Sequence, residues 1–163
     1  MTLAHAYAET PVGRLKLVAD ADALVAILWS DADAARVALA PTIEEPAHPV
    51  LVETAAQLAR YFARGLTRFD LPLRFAGTDF QQAVWRALLE IPYGETCSYG
   101  DVARRIGRPD AVRAVGAANG RNPISIVAPC HRVVGTSGAL TGFAGGMAVK
   151  RRLLDLERPT LFG

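Results

Sequence analysis

The hydrophobic pattern of the sequence changes at Gly77, and this change limits the possible folds more than any other feature. Before Gly77, turn residues separate short apolar runs at close intervals, as they do between antiparallel strands. After Gly77, apolar residues recur at the spacing of amphipathic helices. We therefore predict an α+β protein, with an α/β N-terminal domain built on a small antiparallel sheet at residues 1–77 and a mainly helical C-terminal domain at residues 78–163.

The N-terminal part is predicted to begin with an antiparallel meander. Its three extended candidates are LAHAYAET, GRLKLVAD and ALVAILWS, which short turn segments separate. The alanine-rich run at 31–40 predicts a helix that Pro41 ends, and TIEEPAHP predicts a loop. Residues 50–64 place apolar side chains on one face at helical spacing, so they predict a second helix, and the strand-like FDLPLRF follows.

A helix is predicted at each end of the C-terminal part. Thr78 and Gln81 form a capping-box pattern before a helix that ends ahead of Pro92. The segment MAVKRRLLDLE predicts a terminal helix with an apolar face, and VVGTSGALTGFAGG before it predicts a glycine-rich hairpin or loop.

Between them lie the signals of two short helices joined by a turn. Ser98 and Asp101 can cap the first, which runs through Ile106. The second opens at Asp110 or at the proline before it and runs to about Asn119. This pattern fits a helix-turn-helix, and it fits equally an αα-hairpin that only packs.

The second of these short helices has an unusual composition. After Arg113 it is built of small and apolar residues, including Ala114, Gly116 and Ala117, so only Arg113 could reach deep into DNA. A face of small residues permits close approach to the minor groove, which is about 6 Å wide and into which proteins often insert one side chain. Arg113 would then be the inserted residue. A tightly packed core helix explains the same composition equally well.

The charge distribution favours a polyanionic partner for the second half of the chain. Residues 81–163 carry 11 basic and 6 acidic side chains, about +5, whereas residues 1–80 carry 7 and 10, about −3. Sixteen of the 18 basic residues are arginine, which binds phosphate in a bidentate fork. A GC-rich genome would also enrich arginine, so composition alone leaves nucleic-acid binding open.

The pentapeptide PCHRV sets Cys130 directly before His131 and an arginine. A buried structural cysteine prefers apolar neighbours, whereas neighbouring cations stabilise the thiolate, which is the nucleophilic form. Cys130 is therefore a candidate nucleophile. An ordinary thiol, with a pKa of about 8.5, is only slightly ionised at neutral pH, so a base must take its proton.

The sequence gives no sign of export or of membrane insertion. No segment approaches the roughly 20 apolar residues that cross a bilayer, and MTLAHAYAET lacks the basic and apolar regions of a signal peptide. We predict a cytoplasmic protein without membrane association, in which Cys97 and Cys130 are reduced thiols. Their spacing fits no metal site.

Longer strings carry a resemblance to a known family. PCHRV resembles the signature of the O6-alkylguanine-DNA alkyltransferases, also called methylated-DNA-protein-cysteine methyltransferases. The resemblance includes NP upstream of this string, and downstream of it a GxLxGFxGG segment and a helix that ends LLxxE. FQQAVWRALLEIPYGETCSYGDVARRIG and AVRAVGAANGRNP also resemble that family, so the likeness runs from about Phe80 to Glu157. Residues 1–77 fit the family only in outline, as its variable N-terminal domain.

The resemblance implies a chemistry for the Cys130 segment. Family members transfer the alkyl group of O6-alkylguanine irreversibly to the motif cysteine, here Cys130, so each molecule acts once. By motif position, His131 takes the thiol proton through a water and Glu157 orients His131. Asn122 is implied to brace the turn between the recognition helix and the cysteine segment.

The resemblance also assigns contacts with DNA. It implies a minor-groove helix-turn-helix in which Arg113 replaces a flipped base in the stack, with Ala114, Gly116 and Ala117 on the same helix against the DNA. Tyr99 is implied to contact O6 or N3 of the flipped base and the nearby phosphate. The carbonyls of Cys130 and Val133 and the amide of Ala144 are implied to read the guanine edge. The implied base pocket is lined by Tyr99, Val133, Phe143, Ala144 and Gly145.

The implied partner is double-stranded DNA that contains O6-alkylguanine, with O4-alkylthymine open as a second substrate. The resemblance implies a monomer and leaves cooperative clustering on DNA open. No cofactor is implied, and because no cysteine precedes Cys97, the zinc site of some relatives cannot form. Phe143 stands where many members have tyrosine, so we expect an altered tolerance of bulky alkyl groups.

Two other classes of function remain as alternatives. One is a sensor that binds alkylated DNA and does no chemistry, although such relatives replace the motif cysteine, which this chain keeps as Cys130. The other is a cysteine hydrolase, which would need an oxyanion site and a hydrolytic water. Nothing else in the sequence supports an acyl substrate.

Overall fold

The computed structural model describes residues 2–29, 36–138 and 143–158 of the chain. The chain forms two compact units: residues 1–76 together with 123–125 make the first, and residues 77–122 together with 126–163 make the second. None of the described helices combines the length and the apolar character needed to cross a membrane.

The first unit is built on a four-stranded sheet in the order β3-β2-β1-β4. Its strands are Leu3–Thr10 (β1), Gly13–Ala19 (β2), Leu24–Leu28 (β3) and Thr42–Glu44 (β4). The predicted meander is present, since β2 pairs antiparallel with both β1 and β3. The small sheet predicted as antiparallel is mixed, because β4 pairs parallel with β1. The segment TIEEPAHP, predicted to be a loop, therefore contains a short edge strand. Three residues are too few to show an alternation of buried and exposed side chains, and the one large apolar residue, Ile43, is exposed.

Within the described part of the first unit the helix is α1 at Pro49–Phe62, close to the predicted 50–64. The predicted helix at 31–40 is wrong over its described part: residues 36–40 are not helical, and residues 31–35 lie outside the described residues. Two causes are visible. Pro41 disfavours helical backbone in the residue before it, and Val37 packs into an apolar cluster with sheet residues.

The strand-like FDLPLRF does not form a regular strand. Leu73 makes an isolated parallel bridge with Leu24, and Ile124 makes another with Ile27. Both bridges use strand β3: residues 72–74 form backbone hydrogen bonds with it at Leu24, and residues 123–125 do so at Ile27. Pro72, which has no backbone N–H to donate, explains why the pairing does not extend.

The second unit is mainly helical, as predicted. Its helices are Asp79–Leu88 (α2), Tyr99–Arg105 (α3), Val112–Gly120 (α4) and Met147–Glu157 (α5), and the two-residue strands Cys97–Ser98 (β5) and Val133–Val134 (β6) pair parallel. Both predicted capping boxes are confirmed: Thr78 caps α2 with Gln81, and Ser98 caps α3 with Asp101.

Helix α4 begins later than predicted. Residues 108–111 form a turn, with the Ala111 amide donating to the Arg108 carbonyl over 2.9 Å, and α4 starts at Val112 without a side-chain cap. Asp110, where the sequence predicted that the helix opens, precedes the N-cap residue Ala111. Trp85 of α2 fixes α4 by donating its indole N–H to the Ala118 carbonyl over 2.8 Å.

Candidate active site

Cys130 opens a single 3-10 turn, Cys130–Arg132, between a buried loop and strand β6. Cys130 is 4% exposed. The Cys130 amide donates to the Ala128 carbonyl over 2.8 Å, and the Val133 amide donates back to the Cys130 carbonyl. Because Val133 also pairs with Cys97 of β5, the turn is held at both ends. The backbone of Cys130 is therefore set by hydrogen bonds on each side.

His131 and Glu157 form a buried pair directly beside Cys130. His131 Nε2 lies 2.6 Å from Glu157 Oε2, and both side chains are almost completely buried. Arg132 contacts the same carboxylate through Nε at 2.7 Å and Nη2 at 3.0 Å, and its Nη1 donates to the Ile91 carbonyl over 2.7 Å. Glu157, the last residue of α5, thus holds two consecutive residues of the Cys130–Arg132 turn.

The ionisation of Glu157 follows from these contacts. Burial raises the pKa of its carboxyl, but the hydrogen bonds and charges of His131 and Arg132 outweigh burial and lower the pKa to about 2. Glu157 is therefore a carboxylate at neutral pH, and a carboxylate can only accept hydrogen bonds. We accordingly assign the ring hydrogen of His131 to Nε2.

This tautomer leaves Nδ1 of His131 as an acceptor. Nδ1 is buried and has no hydrogen-bond partner in the described part of the chain. Burial, together with the charges of Arg132 and Lys150, lowers the pKa of His131 below its usual value, and Glu157 opposes this only in part. His131 is thus a neutral imidazole with a free lone pair, next in sequence to the motif cysteine. That arrangement can take a proton from a thiol.

Lys150 belongs to the same site, although it was not predicted from the sequence. Its side chain is fully buried on α5, and its ammonium donates to the Val133 carbonyl over 2.7 Å. Burial lowers the pKa of Lys150, whereas the charge of the Cys130 thiolate raises it. The attraction is mutual, so the ammonium favours the thiolate. The signal was present in the sequence, because Lys150 has helical spacing with the buried Leu153, Leu154 and Glu157.

Two buried asparagines, Asn119 in the last turn of α4 and Asn122 just after the helix, contact the backbone of Ala128 and Cys130. Asn122, fully buried, donates through Nδ2 to the Ala128 carbonyl over 2.8 Å, the brace that the resemblance implied. The loop it closes contains Ile126 at φ +73, an unfavourable backbone angle for a β-branched residue. Asn119, which was not singled out from the sequence, places Nδ2 3.5 Å from the Cys130 carbonyl. The loop before Cys130 is therefore strained locally and fixed by side-chain amides.

Helix α4 presents small residues at its surface. Arg113, Ala114 and Ala117 are exposed, and Gly116 is half-buried. A Cβ added at Gly116 would lie 3.9 Å from Cδ1 of Tyr99, so this aromatic ring lies beside α4. The opposite face, with Val115, Ala118 and Asn119, is buried. The small side chains are thus split between core and surface, and the exposed ones leave room for a partner to approach.

The remaining predicted pocket residues lie just before α5. Phe143 and Gly145 are half-buried and Ala144 is exposed. The Gly146 amide donates to the Phe143 carbonyl over 2.9 Å, which turns the chain into α5. The glycine-rich segment predicted here is not helical in its described part, and residues 139–142 lie outside the described residues.

Cys97 contrasts with Cys130. It lies half-buried in β5, and burial, with the negative charge of Asp101, raises the pKa of its thiol against the opposing charge of Arg105. Cys97 is therefore protonated at neutral pH and is a weak nucleophile. Across the described ranges, no three histidine, cysteine or acidic side chains are grouped as metal ligands would be.

Comparison with known proteins gives consistent results over both units. The family model described as 6-O-methylguanine DNA methyltransferase, ribonuclease-like domain, matches residues 3–75, and that described as 6-O-methylguanine DNA methyltransferase, DNA binding domain, matches residues 79–159. A methylated-DNA–protein-cysteine methyltransferase of Mycobacterium bovis is 64% identical over 102 residues, which are 63% of this chain and 62% of that protein. That alignment therefore spans less than two thirds of either chain.

Two longer alignments extend the likeness over nearly the whole chain. The constitutive methylated-DNA–protein-cysteine methyltransferase of Bacillus subtilis is 46% identical over 155 residues, which are 93% of each protein. The crystal structure of Mycobacterium tuberculosis OGT in complex with DNA superposes with a TM-score of 0.85 at 45% identity, covering 97% of this chain and 93% of that chain.

Proposed function

The chain belongs to the 6-O-methylguanine DNA methyltransferase family, and we propose that it repairs DNA by moving the alkyl group of O6-alkylguanine onto Cys130. The observation that carries this proposal is the buried array in which Cys130 precedes His131, whose Nε2 is held by Glu157 and whose Nδ1 has no partner in the described residues. Such an array is suited to deprotonating a thiol that must act as a nucleophile.

The proposed transfer begins with deprotonation of the Cys130 thiol. A water at His131 Nδ1 passes the thiol proton of Cys130 to the imidazole, leaving a thiolate that Lys150 stabilises. The thiolate sulfur attacks the methyl carbon, the S–C bond forms and the C–O6 bond breaks with its electron pair moving to the guanine. The guanine then takes up one proton while His131 gives up the one that it accepted, so base and imidazole are both neutral again, and the protein keeps an S-methylcysteine. Because water does not displace the thiolate from the alkyl carbon of a thioether, Cys130 is not regenerated and each molecule acts once.

DNA binding is proposed for the exposed face of α4, which carries Arg113, Ala114 and Ala117. The similar protein whose structure was solved in complex with DNA supports DNA binding in general, since it covers 97% of this chain. A base inside a duplex keeps its O6 group out of reach of a buried sulfur, so the proposal includes base flipping, which costs a few kcal/mol. Arg113 would offset part of that cost by filling the vacated position in the stack.

Recognition of the flipped base is proposed for the reactive turn and the segment before α5. The Cys130 and Val133 carbonyls, the Ala144 amide and the Tyr99 hydroxyl would bind the edges of the guanine, with Phe143 and Gly145 as a wall. The Val133 carbonyl supports this role, because the Lys150 ammonium fixes its direction over 2.7 Å. A fixed carbonyl selects for a donor at one position of the base.

The proposal is tested with a duplex that carries one O6-methylguanine labelled in the methyl group. We expect the label to move from DNA to protein until one equivalent is bound, and not to move with Cys130→Ser. Label released to solvent over many turnovers would instead indicate a hydrolase. Tight binding without any transfer would indicate a sensor, and either result would refute the proposal.

A further inference from the structure

Residues 123–125 are a short piece of chain that packs on strand β3, which lies far before it in the sequence. The Ile27 amide donates to the Pro123 carbonyl over 2.9 Å. The indole N–H of Trp29 donates to the hydroxyl of Ser125 over 3.0 Å. Residues 123–125 therefore belong to the first unit, although the residues on both sides of them belong to the second.

The residue that follows this piece of chain has a strained backbone. Ile126 has φ +73, an angle that a β-branched residue rarely adopts, and the residue is fully buried. Such a conformation persists only where the surrounding structure fixes the chain around it. Ser125 is adjacent to Ile126 and is itself fully buried. The hydrogen bond to the Ser125 side chain therefore fixes the chain directly before the strained residue.

The chain that follows Ile126 reaches the thiol within four residues. The Ala128 carbonyl accepts from Asn122 Nδ2 over 2.8 Å and from the Cys130 amide, also over 2.8 Å. Ala128 is thus bound to the backbone of Cys130. A rotation of the Ile126 backbone would displace Ala128 and, with it, the amide of Cys130.

We propose that the hydrogen bond from Trp29 to Ser125 positions the Cys130 thiol for transfer by holding Ile126 in its strained conformation. Trp29 is then a positioning residue, because it acts through the loop that ends at Cys130. A buried hydrogen bond changes an equilibrium constant about fivefold, so its loss would let the loop relax in part. This inference rests on the proposed function, since it concerns the rate of alkyl transfer.

Four proteins test the inference: the wild type, Trp29→Phe, Ser125→Ala and the double variant. Trp29→Phe keeps an aromatic ring and removes the N–H, and Ser125→Ala removes the acceptor. The substrate is a single-stranded oligonucleotide with one O6-methylguanine, so that base flipping does not enter. Its affinity and the single-turnover transfer rate at saturation are measured at a temperature at which thermal unfolding shows each protein to be folded. Thr67→Ala, which removes an exposed hydroxyl of the first unit, is the control.

Each single variant is expected to transfer the methyl group about fivefold more slowly than the wild type at saturation. The double variant should be no slower than either single variant, because all three lose the same hydrogen bond. The affinity for the oligonucleotide should stay the same, since the rate at saturation reports the transfer step and not binding. Thr67→Ala should react at the wild-type rate. If Trp29→Phe does not fold, Ser125→Ala, which removes one oxygen atom, carries the test.

Wild-type rates at saturation in the folded Trp29→Phe and Ser125→Ala would overturn the inference. A contact that only stabilises the fold would lower the melting temperature and leave the rate of the folded protein unchanged. Losses that multiply in the double variant would overturn it as well, because the two side chains would then act separately. If the wild type itself transfers no methyl group to Cys130, the proposed function fails, and that result is distinct from both.

Discussion

Replacing Glu157 by glutamine should weaken the fold strongly, because this carboxylate binds two buried side chains, His131 and Arg132, at once. It accepts from His131 Nε2 at 2.6 Å and from Arg132 at 2.7 and 3.0 Å. The Arg132 side chain is only 8% exposed. In Glu157→Gln its guanidinium keeps its positive charge but loses the negative charge of the Glu157 carboxylate. Removing one partner of a buried ion pair costs about 3–5 kcal/mol.

The pKa of Glu157 gives a second route to the same magnitude. Holding the pKa at about 2 instead of the ordinary 4.5 corresponds to about 3 kcal/mol, at about 1.4 kcal/mol for each pKa unit. Because the folded-state pKa is lowered, this stabilisation is complete above the unfolded-state value of 4.5. It is lost as the pH falls from 4.5 through about 2, where the folded protein also takes up the proton.

Urea unfolding of the wild type and Glu157→Gln measures the effect. At pH 7 we expect the variant to unfold with about 3 kcal/mol less free energy, equivalent to a melting temperature roughly 6–12 °C lower. Between pH 5 and pH 2 the difference between the two proteins should shrink. Glu90→Gln, which changes an exposed glutamate of the same unit, is the matched control and should stay within about 0.5 kcal/mol.

Two results would refute this reasoning. A variant that unfolds within 1 kcal/mol of the wild type at pH 7 would mean that Arg132 is satisfied without the carboxylate. A difference that stays constant from pH 5 to pH 2 would mean that the pKa of Glu157 is not lowered by its partners.

Two further predictions concern the transfer itself. Arg113→Ala should slow repair of a duplex far more than reaction with the free modified base, because only the duplex requires flipping. Arg68→Ala, at an exposed arginine of the first unit, is the control. Equal losses of rate on both substrates would show that Arg113 does not have this role. Lys150→Met should lower the single-turnover rate about tenfold at pH 7, because the thiolate of Cys130 loses a buried neighbouring charge. At pH 9, where thiols ionise more fully, part of the lost rate should be recovered. An unchanged rate at pH 7 would contradict the role given to Lys150.

The elements predicted correctly are those specified by residues close together in the sequence. The capping boxes at Thr78 and Ser98 are three-residue signals, and each marks the start of a helix in the structure. Strand β4 was not predicted, because its three residues pair with a strand more than 30 residues earlier and show no alternation of their own. The same holds for residues 36–40, where packing of Val37 onto the sheet overrides a helical composition.

The candidate site residues came from the motif, and the contacts made by residues outside the motif were not predicted. Cys130, His131, Glu157 and Asn122 were singled out. The structure places the first three in or against the Cys130–Arg132 turn, and Asn122 against Ala128 just before it. The burial of Lys150 could have been read from its spacing within α5, but its contact with the Val133 carbonyl depends on tertiary packing.

Asn119 is a different case. A buried asparagine near a helix end usually satisfies the backbone around it, and no local pattern shows that one of its atoms lacks a partner. Only the three-dimensional structure shows that Oδ1 is left over while Nδ2 lies near the Cys130 carbonyl.

The central claim is that the Cys130 sulfur captures the alkyl carbon and keeps it. Mass spectrometry of the protein digested after reaction with one equivalent of O6-methylguanine duplex tests it most directly. The account predicts a gain of about 14 Da, one methylene, on the peptide that contains Cys130 and none on the peptide that contains Cys97. A methylated Cys97, or repaired DNA with both thiols unmodified, would contradict it.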